Sequence, residues 1–311
     1  MAAYLELYHR AKLKERIKAA TSLLQSCHLC PRQCGINRLQ GTVGKCRTPR
    51  HAMVSSYGPH FGEEAPLVGR HGSGTIFFTN CSLSCAFCQN YSISQLGQGE
   101  MVSREELAYM MLSLQAKGCH NINLVSPTHV VPQILEALET AIEGGLELPL
   151  VYNSGGYDSV ETLRLLDGIV DIYMPDMKYS DEKTAEELSG IKNYPRLNRA
   201  AVKEMHRQVG DLQIGDDGVA RRGLLVRHLV LPHGLAGTEE VVNFVSQEIS
   251  PNTYVNIMAQ YRPCYKAYDV PSLARPVSTA GFEAAVRLAH QAGLTRLDRA
   301  RPTGIFRSPS E

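Results

Sequence analysis

The chain has 311 residues, of which 43% are hydrophobic and 20% are charged, and its 32 Lys and Arg nearly balance 31 Asp and Glu. This is the composition of an ordinary globular protein and excludes a low-complexity chain. A chain of this length buries roughly 75% of its unfolded surface on folding, so it needs no disulfides to hold a core. Its nine cysteines therefore require another explanation.

The near-neutral net charge of the whole chain conceals a basic front segment, residues 1–50. Residues 1–50 contain ten Lys and Arg against two Asp and Glu, whereas the remaining residues contain 22 against 29. Such a front suits contact with nucleic acid or an acidic partner, or it offsets the negative charge of a thiolate metal site; we favour the second. Lys and Arg recur through the first 27 residues, which is unlike a secretory signal, and no apolar run approaches roughly 18 residues. We expect a cytoplasmic protein without a membrane partner.

The front segment begins with a predicted surface helix, in which Tyr4 and Leu7 indicate a face that covers another part of the protein. Four cysteines follow within twenty residues, in the pattern Cys27-x2-Cys30-x3-Cys34-x11-Cys46. One such set can close a tetrahedral zinc site or carry an iron–sulfur cluster. Zinc would make the segment a structural clip or a partner platform, whereas a cluster would relay electrons or bind substrate. The sequence leaves both interpretations open.

Extended apolar runs then alternate with helical patterns. The predicted strands are 74–79, 121–126, 148–153, 169–174, 223–231 and 254–259. The predicted helices are 103–117, 131–143, 159–166, 195–209, 238–248 and 278–292, the first capped by Ser103 with Glu106 three residues later. This alternation predicts an α/β fold with a parallel sheet, either open or closed into a barrel. In both architectures, functional residues lie at the carboxyl ends of the strands.

Three further cysteines directly follow the first of these strands, with the spacing Cys81-x3-Cys85-x2-Cys88. Three thiolates on one short loop can hold a cube of iron and sulfide and leave the fourth iron without a protein ligand. An open iron of this kind is a substrate site. A structural zinc site would need a nearby fourth ligand, and the next Cys or His downstream is Cys119, at the end of a predicted helix.

The loop resembles the signature of the radical S-adenosylmethionine (SAM) superfamily, Cys-x3-Cys-x-aromatic-Cys, with Phe87 in the aromatic position. The stretches GSGTIFFTNCSLSCAFCQN, VSPTHVVPQI, VYNSGGY, MPDMKY and MAQYRP more narrowly resemble the PflX-like proteins, which are related to pyruvate formate-lyase activating enzyme. This likeness covers about residues 27 to 275. It implies a (β/α)6 partial barrel, similar to a TIM barrel, in agreement with the six strands. The implied divisions are a metal-binding segment 1–60, a core 61–275 and a C-terminal helix and tail 276–311.

The resemblance implies that Cys81, Cys85 and Cys88 hold a 4Fe–4S cluster. When reduced by a donor such as flavodoxin or ferredoxin, the cluster cleaves SAM to methionine and a 5′-deoxyadenosyl radical. That radical abstracts hydrogen from a substrate, which in activating enzymes is a backbone glycine of a protein. Within the enzyme class, the alternative is modification of RNA or a small molecule, although we do not expect nucleic acid as a partner. From another class, the alternative is a non-catalytic, zinc-stabilised module that binds nucleic acid or protein.

The resemblance also implies the SAM-binding residues. Ser126 and His129 lie where activating enzymes carry a Gly-Gly-Glu-Pro stretch that holds the SAM amino group, and Asp176-x-Lys178 resembles their Asp-x-Lys motif. The complete set of predicted contacts follows the cluster loop and the strand ends: Phe87, Ser126, His129, Asn153, Ser154, Asp176, Lys178 and Gln260.

Four residues outside these motifs also draw attention. Cys264 follows the last strand on the functional side, where it is either a spectator or a catalytic thiol of the kind that some radical SAM methylases use. Arg227, inside the fifth strand, is predicted to meet a carboxylate in the barrel, because a buried Arg is rare unless it is paired. Glu63 and Glu64 either reach the same cavity or are surface charges.

Overall fold

The computed structural model of this chain describes residues 2–298, which form nine strands and eleven α-helices. The strands are β1 (Ala52–His60), β2 (Ser73–Phe78), β3 (Glu100–Val102), β4 (Ile122–Val125), β5 (Leu150–Ser154), β6 (Ile172–Pro175), β7 (Gln213–Ile214), β8 (Ala220–Leu229) and β9 (Tyr254–Met258). The helices are α1 (Tyr4–His9), α2 (Lys12–Ser22), α3 (Ala65–Val68), α4 (Tyr91–Ser94), α5 (Arg104–Ala116), α6 (Val131–Glu143), α7 (Val160–Leu165), α8 (Glu182–Ser189), α9 (Tyr194–Val209), α10 (Thr238–Phe244) and α11 (Thr279–Gln291).

Six parallel strands form the centre of the sheet, in the order β2, β4, β5, β6, β8 and β9. On the β2 side, β1 and then β3 add antiparallel strands, and β7 pairs antiparallel with β8. Among the strands of residues 2–298, β9 pairs with β8 alone, so the sheet stays open between β9 and β2. This mixed α/β fold with a central parallel sheet agrees with the partial barrel that the sequence predicts.

The six predicted strands are the six parallel strands, with shifts of one to three residues at most ends. The largest shifts at a start are three residues, in β8, which begins at Ala220 instead of residue 223, and in β6, which begins at Ile172 instead of residue 169. Immediately before it, the Asp171 carboxylate accepts hydrogen bonds from the backbone N–H groups of Ala3 (2.8 Å) and Leu150 (2.9 Å). The predicted capping box of α5 is present: Ser103 Oγ accepts from Glu106 N at 3.1 Å, and Glu106 Oε2 accepts from Ser103 N at 2.7 Å.

Two elements that bear on the site were not predicted. The sequence of β1 mixes apolar residues with Ser, Gly and Pro, and its pairing with β2 extends the sheet into the segment that the sequence analysis set apart as 1–60. Helix α8 has a mostly polar sequence, EKTAEELS, and is started by Asp181, whose carboxylate accepts from Thr184 N at 2.6 Å.

The interior of the sheet changes from apolar to polar along the strands. Toward the amino ends, Val151, Ile172 and Leu225 are fully buried together beneath Leu67. Toward the carboxyl ends, the register places Asp176 beside Arg227 and Arg227 beside Asn256. Apolar burial of this kind stabilises the fold by roughly 1.5–3 kcal/mol per fully buried side chain, whereas the polar layer needs internal partners. The polar layer therefore marks the part of the barrel with a chemical task.

The helices at the two chain ends pack onto this sheet. The predicted front helix is confirmed as α1: Tyr4 is fully buried, and its hydroxyl donates to the carbonyl of Leu148, just before β5, at 2.8 Å. Near the other end, α11 buries Ala285 and Ala289 in the main core. Residues 299–311, the end of the predicted 276–311 segment, lie outside the described residues. In residues 2–298, no helix is both long and apolar enough to span a membrane.

Candidate active site

A cavity of about 240 Å³ opens at the carboxyl ends of the parallel strands. It is lined by residues that follow or end β2, β4, β5, β6, β8 and β9, so every parallel strand contributes to its wall. The predicted site residues among its lining are Cys81, Cys85, Phe87, Cys88, Ser126, Asn153, Ser154, Asp176, Lys178 and Gln260.

The three-cysteine loop leaves β2 through Asn80, whose left-handed backbone (φ 73°) turns the chain. Its middle is held on the end of α8, where the N–H of Ser84 donates to the carbonyl of Ser189 at 3.2 Å and that of Ala86 to Leu188 at 2.8 Å. Because α8 was not predicted, this support for the loop was not expected either. The loop is therefore held at its start by β2 and in its middle by α8.

Each of the three sulfur atoms has a polar neighbour. The hydroxyl of Ser189 lies 3.0 Å from Cys85 Sγ, Ser94 Oγ lies 3.1 Å from Cys88 Sγ, and the N–H of Leu83 donates to Cys81 Sγ at 3.4 Å. Hydrogen bonds of this kind stabilise a thiolate ligand and tune a cluster that it holds. Ser189 and Ser94 were missed by the sequence analysis because neither belongs to a recognisable motif.

The cysteine thiols are free, and within the loop Cys85 is buried while Cys81 and Cys88 are half-buried. Burial raises the pKa of Cys81 to about 12 and raises that of Cys85, while the positive charge of Lys178 acts on both in the opposite direction. Among residues 2–298, no three His, Cys, Asp or Glu side chains are arranged to hold a single metal ion. In a four-iron cluster each thiolate binds a different iron, so that finding bears on mononuclear sites and not on a cluster.

A buried group of charges faces the cysteines across the cavity. Lys178 Nζ lies 2.5 Å from Asp176 Oδ2, and Arg227 Nε lies 2.9 Å from Asp176 Oδ1. A second guanidinium nitrogen of Arg227 donates to Asn153 Oδ1 at 2.7 Å. Burial alone would raise the pKa of Asp176, but Arg227 and Lys178 together hold it below its usual value. Asp176 is therefore an anion between two cations.

Two glutamates lie below this group. Glu63 Oε2 is 3.9 Å from Arg227, and Glu64 accepts a 2.8 Å hydrogen bond from Asn256 Nδ2. Burial raises the pKa of Glu64, and its second carboxylate oxygen has no hydrogen-bond partner among the described residues. Both glutamates thus lie in the interior and not at the surface. Arg227 contacts carboxylates, as predicted. Asn256 was not predicted as a site residue, although a polar side chain within the apolar strand YVNIMA could have indicated it.

The polar residues that follow β5 are partly committed to the protein itself. The Ser154 hydroxyl donates to Asp158 Oδ2 at 2.6 Å, and Asp158 also accepts from Thr128 at 2.6 Å. A Cβ on Gly156, which has a φ of 71°, would lie 2.1 Å from the carbonyl oxygen of Asp176. This glycine therefore allows the loop to pass directly against the backbone of Asp176.

His129 does not lie where the sequence analysis expected it. Its ring is buried behind β2, with Nε2 2.9 Å from the carbonyl oxygen of Thr79, and it is not part of the cavity wall. Burial lowers the pKa of His129 to about 4, so the ring is neutral at pH 7. Its backbone carbonyl accepts from Arg38 of the front segment at 2.8 Å. The predicted contact with SAM is thus replaced by a role in holding the loop after β4 to the front segment.

The segment after β9 covers one side of the cysteine loop. The ring of Phe87 makes an edge contact with that of Tyr261 (centroids 5.8 Å apart), and Gln89 Nε2 donates to the carbonyl of Gln260 at 2.9 Å. The Cys264 thiol lies 3.3 Å from the carbonyl oxygen of Phe87. Cys264 therefore contacts the backbone of the cluster loop but is not among the residues that line the cavity.

The comparisons with known proteins agree with this site. The family model for the radical SAM superfamily matches residues 75–223. An uncharacterised protein from Methanocaldococcus jannaschii is 32% identical over 288 residues, which cover 90% of this chain and 78% of that protein. A second uncharacterised protein from the same organism is 24% identical over 289 residues, which cover 86% and 78%.

Among solved structures, the crystal structure of a radical SAM methyltransferase from Sphaerobacter thermophilus has a similar fold. The TM-score is 0.52 at 14% sequence identity, and the match covers 72% of this chain and 66% of the methyltransferase. At this identity the likeness concerns the fold alone. Together with the family match and the relative at 32% identity, it leads to one conclusion: the chain belongs to the radical SAM superfamily, a family of enzymes that implies a 4Fe–4S cluster and SAM as cofactors.

Proposed function

We propose that Cys81, Cys85 and Cys88 bind a 4Fe–4S cluster and that the same cavity binds SAM. The observation that carries this proposal is that the three free thiols share one cavity with the Asp176–Lys178–Arg227 group and Asn153. The donor set fits the group, because three soft thiolates suit iron–sulfur ligation and leave one iron for a ligand that is not protein. When bound, the two cofactors supply a 5′-deoxyadenosyl radical that abstracts hydrogen from a substrate.

The charged group opposite the cysteines suits the methionine part of SAM. Asp176 and Lys178 alternate on an extended segment, so both side chains face the cavity, and each is ionised. A carboxylate and an ammonium in this position can bind the amino and carboxylate groups of an amino acid through charge-assisted hydrogen bonds. Arg227 holds Asp176 in place from below, and Asn153 offers an amide beside it.

The aromatic residues beside the loop exclude water from the cavity. Phe87 is buried between the rings of Tyr179 (6.3 Å) and Tyr261 (5.8 Å), which meet it edge-on. Exclusion of water strengthens electrostatic interactions inside the site and protects a reactive radical from side reactions. The protein thus contributes orientation and exclusion of water, while the cofactors contribute the reactivity.

For the substrate, we propose a backbone glycine of a protein. What supports this choice is the resemblance of the stretches at the ends of β2, β4, β5, β6 and β9 to the PflX-like proteins, which are related to pyruvate formate-lyase activating enzyme; the stretch after β4 departs from that enzyme's Gly-Gly-Glu-Pro. The other class considered above, a non-catalytic zinc-stabilised module, is set aside because the chain belongs to a family of enzymes.

The cofactor proposal is tested by anaerobic reconstitution with iron and sulfide, followed by incubation with SAM and dithionite. We expect 5′-deoxyadenosine from the wild-type protein and none above background from Cys85→Ala. Cys119→Ala is the matched control, because Cys119 is buried beneath the sheet and away from the cavity. Full activity in Cys85→Ala would contradict the ligand set.

The substrate proposal has a separate test. Non-radical pyruvate formate-lyase serves as the probe protein, and it is incubated with the reconstituted enzyme, SAM and dithionite. An EPR signal of a glycyl radical, with one 5′-deoxyadenosine formed per radical, is the expected result. Formation of 5′-deoxyadenosine without any glycyl radical would speak against this substrate class and leave the cofactor proposal intact.

A further inference from the structure

The spacing of the four cysteines of the front segment fits either a zinc site or an iron–sulfur cluster. Cys27-x2-Cys30-x3-Cys34 spans eight residues, as does Cys81-x3-Cys85-x2-Cys88, with the two gaps in reverse order. Cys46 then adds a single distant thiol. Among residues 2–298, no three Cys, His, Asp or Glu side chains are arranged to hold a single metal ion, which favours a cluster over a mononuclear zinc site.

The backbone folds these four residues together. The N–H of Cys27 donates to the carbonyl of Ile36 at 2.8 Å, and the N–H of Gly35 returns to the carbonyl of Cys27 at 3.1 Å. A Cβ on Gly44 would lie 3.0 Å from Cys34 Sγ, so the loop that leads to Cys46 passes directly against Cys34. Cys27, Cys30 and Cys46 are buried, and Cys27 packs with Leu24 and Leu29 in a small core of its own.

The thiols of Cys27, Cys30, Cys34 and Cys46 are all free, so none of them is tied up in a disulfide.

An unpaired buried cation lies beside them. Arg38 is 1% exposed, and its guanidinium donates to the backbone carbonyls of Pro49 (2.9 Å) and His129 (2.8 Å). Its Nη1 atom is 4.0 Å from Cys27 Sγ, and among residues 2–298 it forms no ion pair with a carboxylate. Buried charges in proteins are normally paired. The position of Arg38 therefore calls for an anion at the cysteines.

We propose that Cys27, Cys30, Cys34 and Cys46 bind a second 4Fe–4S cluster, with Arg38 as its buried counter-charge. Four thiolates leave no iron open, so this cluster is an electron-transfer centre and not a second site for SAM. A cluster with four thiolates carries a net negative charge in its oxidised form, which is the partner that Arg38 lacks.

The second site is connected to the first. Arg32, between Cys30 and Cys34, donates from Nε to the carbonyl of Ser82 in the cysteine loop at 2.6 Å. Tyr157, which lines the groove beside Cys34, stacks on Tyr194 with centroids 6.4 Å apart. The Tyr194 hydroxyl in turn contacts the carbonyl oxygen of Asp176 at 3.1 Å. These contacts join the front segment to the cysteine loop and to the residues that follow β6.

The surface side of the second site is open. Cys34 and Lys45 line a groove of about 1020 Å³ between the front segment and helices α8 and α9. In the role we infer, a reduced donor of the flavodoxin or ferredoxin type loses one electron to the second cluster, which passes it to the cluster at Cys81, Cys85 and Cys88. This role rests on the proposed function, whereas binding of the second cluster does not.

The decisive variant leaves the front segment intact and replaces Cys81, Cys85 and Cys88 by Ala. After anaerobic reconstitution, iron, sulfide and zinc are measured, and EPR spectra are recorded after reduction by dithionite. We expect about eight irons per wild-type chain, and about four irons and four sulfides with a reduced-cluster EPR signal in the triple variant. About one zinc and no sulfide in the triple variant, or no metal at all, would overturn the second cluster.

Two further variants test the neighbourhood and the role. Arg38→Met should shift the midpoint potential of the remaining EPR signal to more negative values in the triple-variant background, because a positive charge favours the reduced, more negative cluster; an unchanged potential would refute the counter-charge. Cys30→Ala should keep SAM cleavage with dithionite, which also reports that the chain is folded, but lose most of it with reduced flavodoxin. Equal loss or equal retention with both reductants would refute the relay.

Discussion

The two cysteine groups of this protein differ in their place in the fold and in the number of their thiols. Cys81, Cys85 and Cys88 lie at the carboxyl end of a parallel strand and line a cavity with ionised side chains on its far wall. The front cysteines lie beside the sheet, with a small core of their own and a buried arginine. The two groups therefore face different surroundings, an interior cavity in one case and a buried arginine in the other.

The two groups also differ in what surrounds their charge. The cavity group faces Lys178, which is already paired with Asp176, whereas Arg38 near the front group is bound only to backbone oxygens and a sulfur atom among the described residues. A cation that is already paired leaves room for a zwitterionic ligand such as SAM. An unpaired one requires a permanent anion.

The largest expected effect separates the two groups by activity. Cys88→Ala removes a ligand of the cluster that reacts with SAM, so 5′-deoxyadenosine formation with dithionite should fall by at least about 10³-fold, because the cofactor carries the chemistry. Cys46→Ala, in the front group, should keep most of that activity with the same reductant. Product quantification by liquid chromatography gives both values, and equal losses in the two variants would erase the distinction.

A second change tests the charged wall that only the cavity group has. Asp176→Asn leaves Lys178 and Arg227 buried together without their anion, and removing one partner of a buried pair costs about 3–5 kcal/mol. The loss is read from urea unfolding, and binding of SAM should weaken as well. Asp217→Asn removes an exposed pair with Arg221 and should change stability by at most about 1 kcal/mol. Equal effects of the two variants would refute the internal charge group.

A buried histidine beside this charged group makes the stability of the fold depend on pH. The His228 ring is buried between the carbonyl of Met177 (2.7 Å) and the Thr238 hydroxyl (2.9 Å), and burial lowers its pKa from 6.5 to about 4. On acidification from pH 6.5 toward 4, the unfolded chain takes up a proton that the folded chain does not. The stabilisation by neutral His228 is therefore present above pH 6.5 and is lost as the pH falls.

The unfolding free energies of wild type and His228→Gln in urea measure this contribution. The advantage of the wild type at pH 7 should shrink by about 1–3 kcal/mol at pH 4.5. Buried acids such as Asp171, whose pKa burial raises to about 6, are present in both proteins, so their opposite contribution cancels in the difference. An advantage that does not change with pH would contradict a neutral His228.

The smallest expected effect concerns Cys264, a thiol that belongs to neither group. Cys264→Ala removes the contact with the carbonyl of Phe87 and should cost about 0.5–1.5 kcal/mol of stability. Formation of 5′-deoxyadenosine should not change, because Cys264 is not part of the cavity wall. Loss of turnover on the true substrate in a variant that still forms 5′-deoxyadenosine would instead favour a catalytic thiol of the methylase kind.

The sequence was most informative where both faces of a strand are apolar. All six parallel strands were predicted, because buried strands such as β2 and β5 are apolar in both parities, and their ends then pointed to Asn153 and Asp176. Elements with mixed patterns were missed, namely β1, which pairs at the edge of the parallel sheet, and the polar helix α8. Their positions depend on tertiary contacts that no local pattern records.

Long-range polar partners were equally hidden. His129 fitted a binding motif by its place after a strand, but its ring turns to the carbonyl of Thr79, fifty residues earlier in the chain. For Arg227 the sequence predicts a carboxylate partner but not which residue supplies it, and the structure identifies Asp176. The link between Arg32 and Ser82 likewise joins segments fifty residues apart. Periodicity and spacing predict elements, but they do not predict which side chains meet.

The central claim is that the three-cysteine group leaves one iron open to SAM. The most direct measurement uses Cys30→Ala, so that the cavity group holds the remaining cluster, and records its EPR spectrum after reduction, with and without SAM. We expect SAM to change the spectrum and 5′-deoxyadenosine then to form. A reduced cluster whose spectrum does not respond to SAM, with no 5′-deoxyadenosine formed, would contradict an iron that is open to SAM.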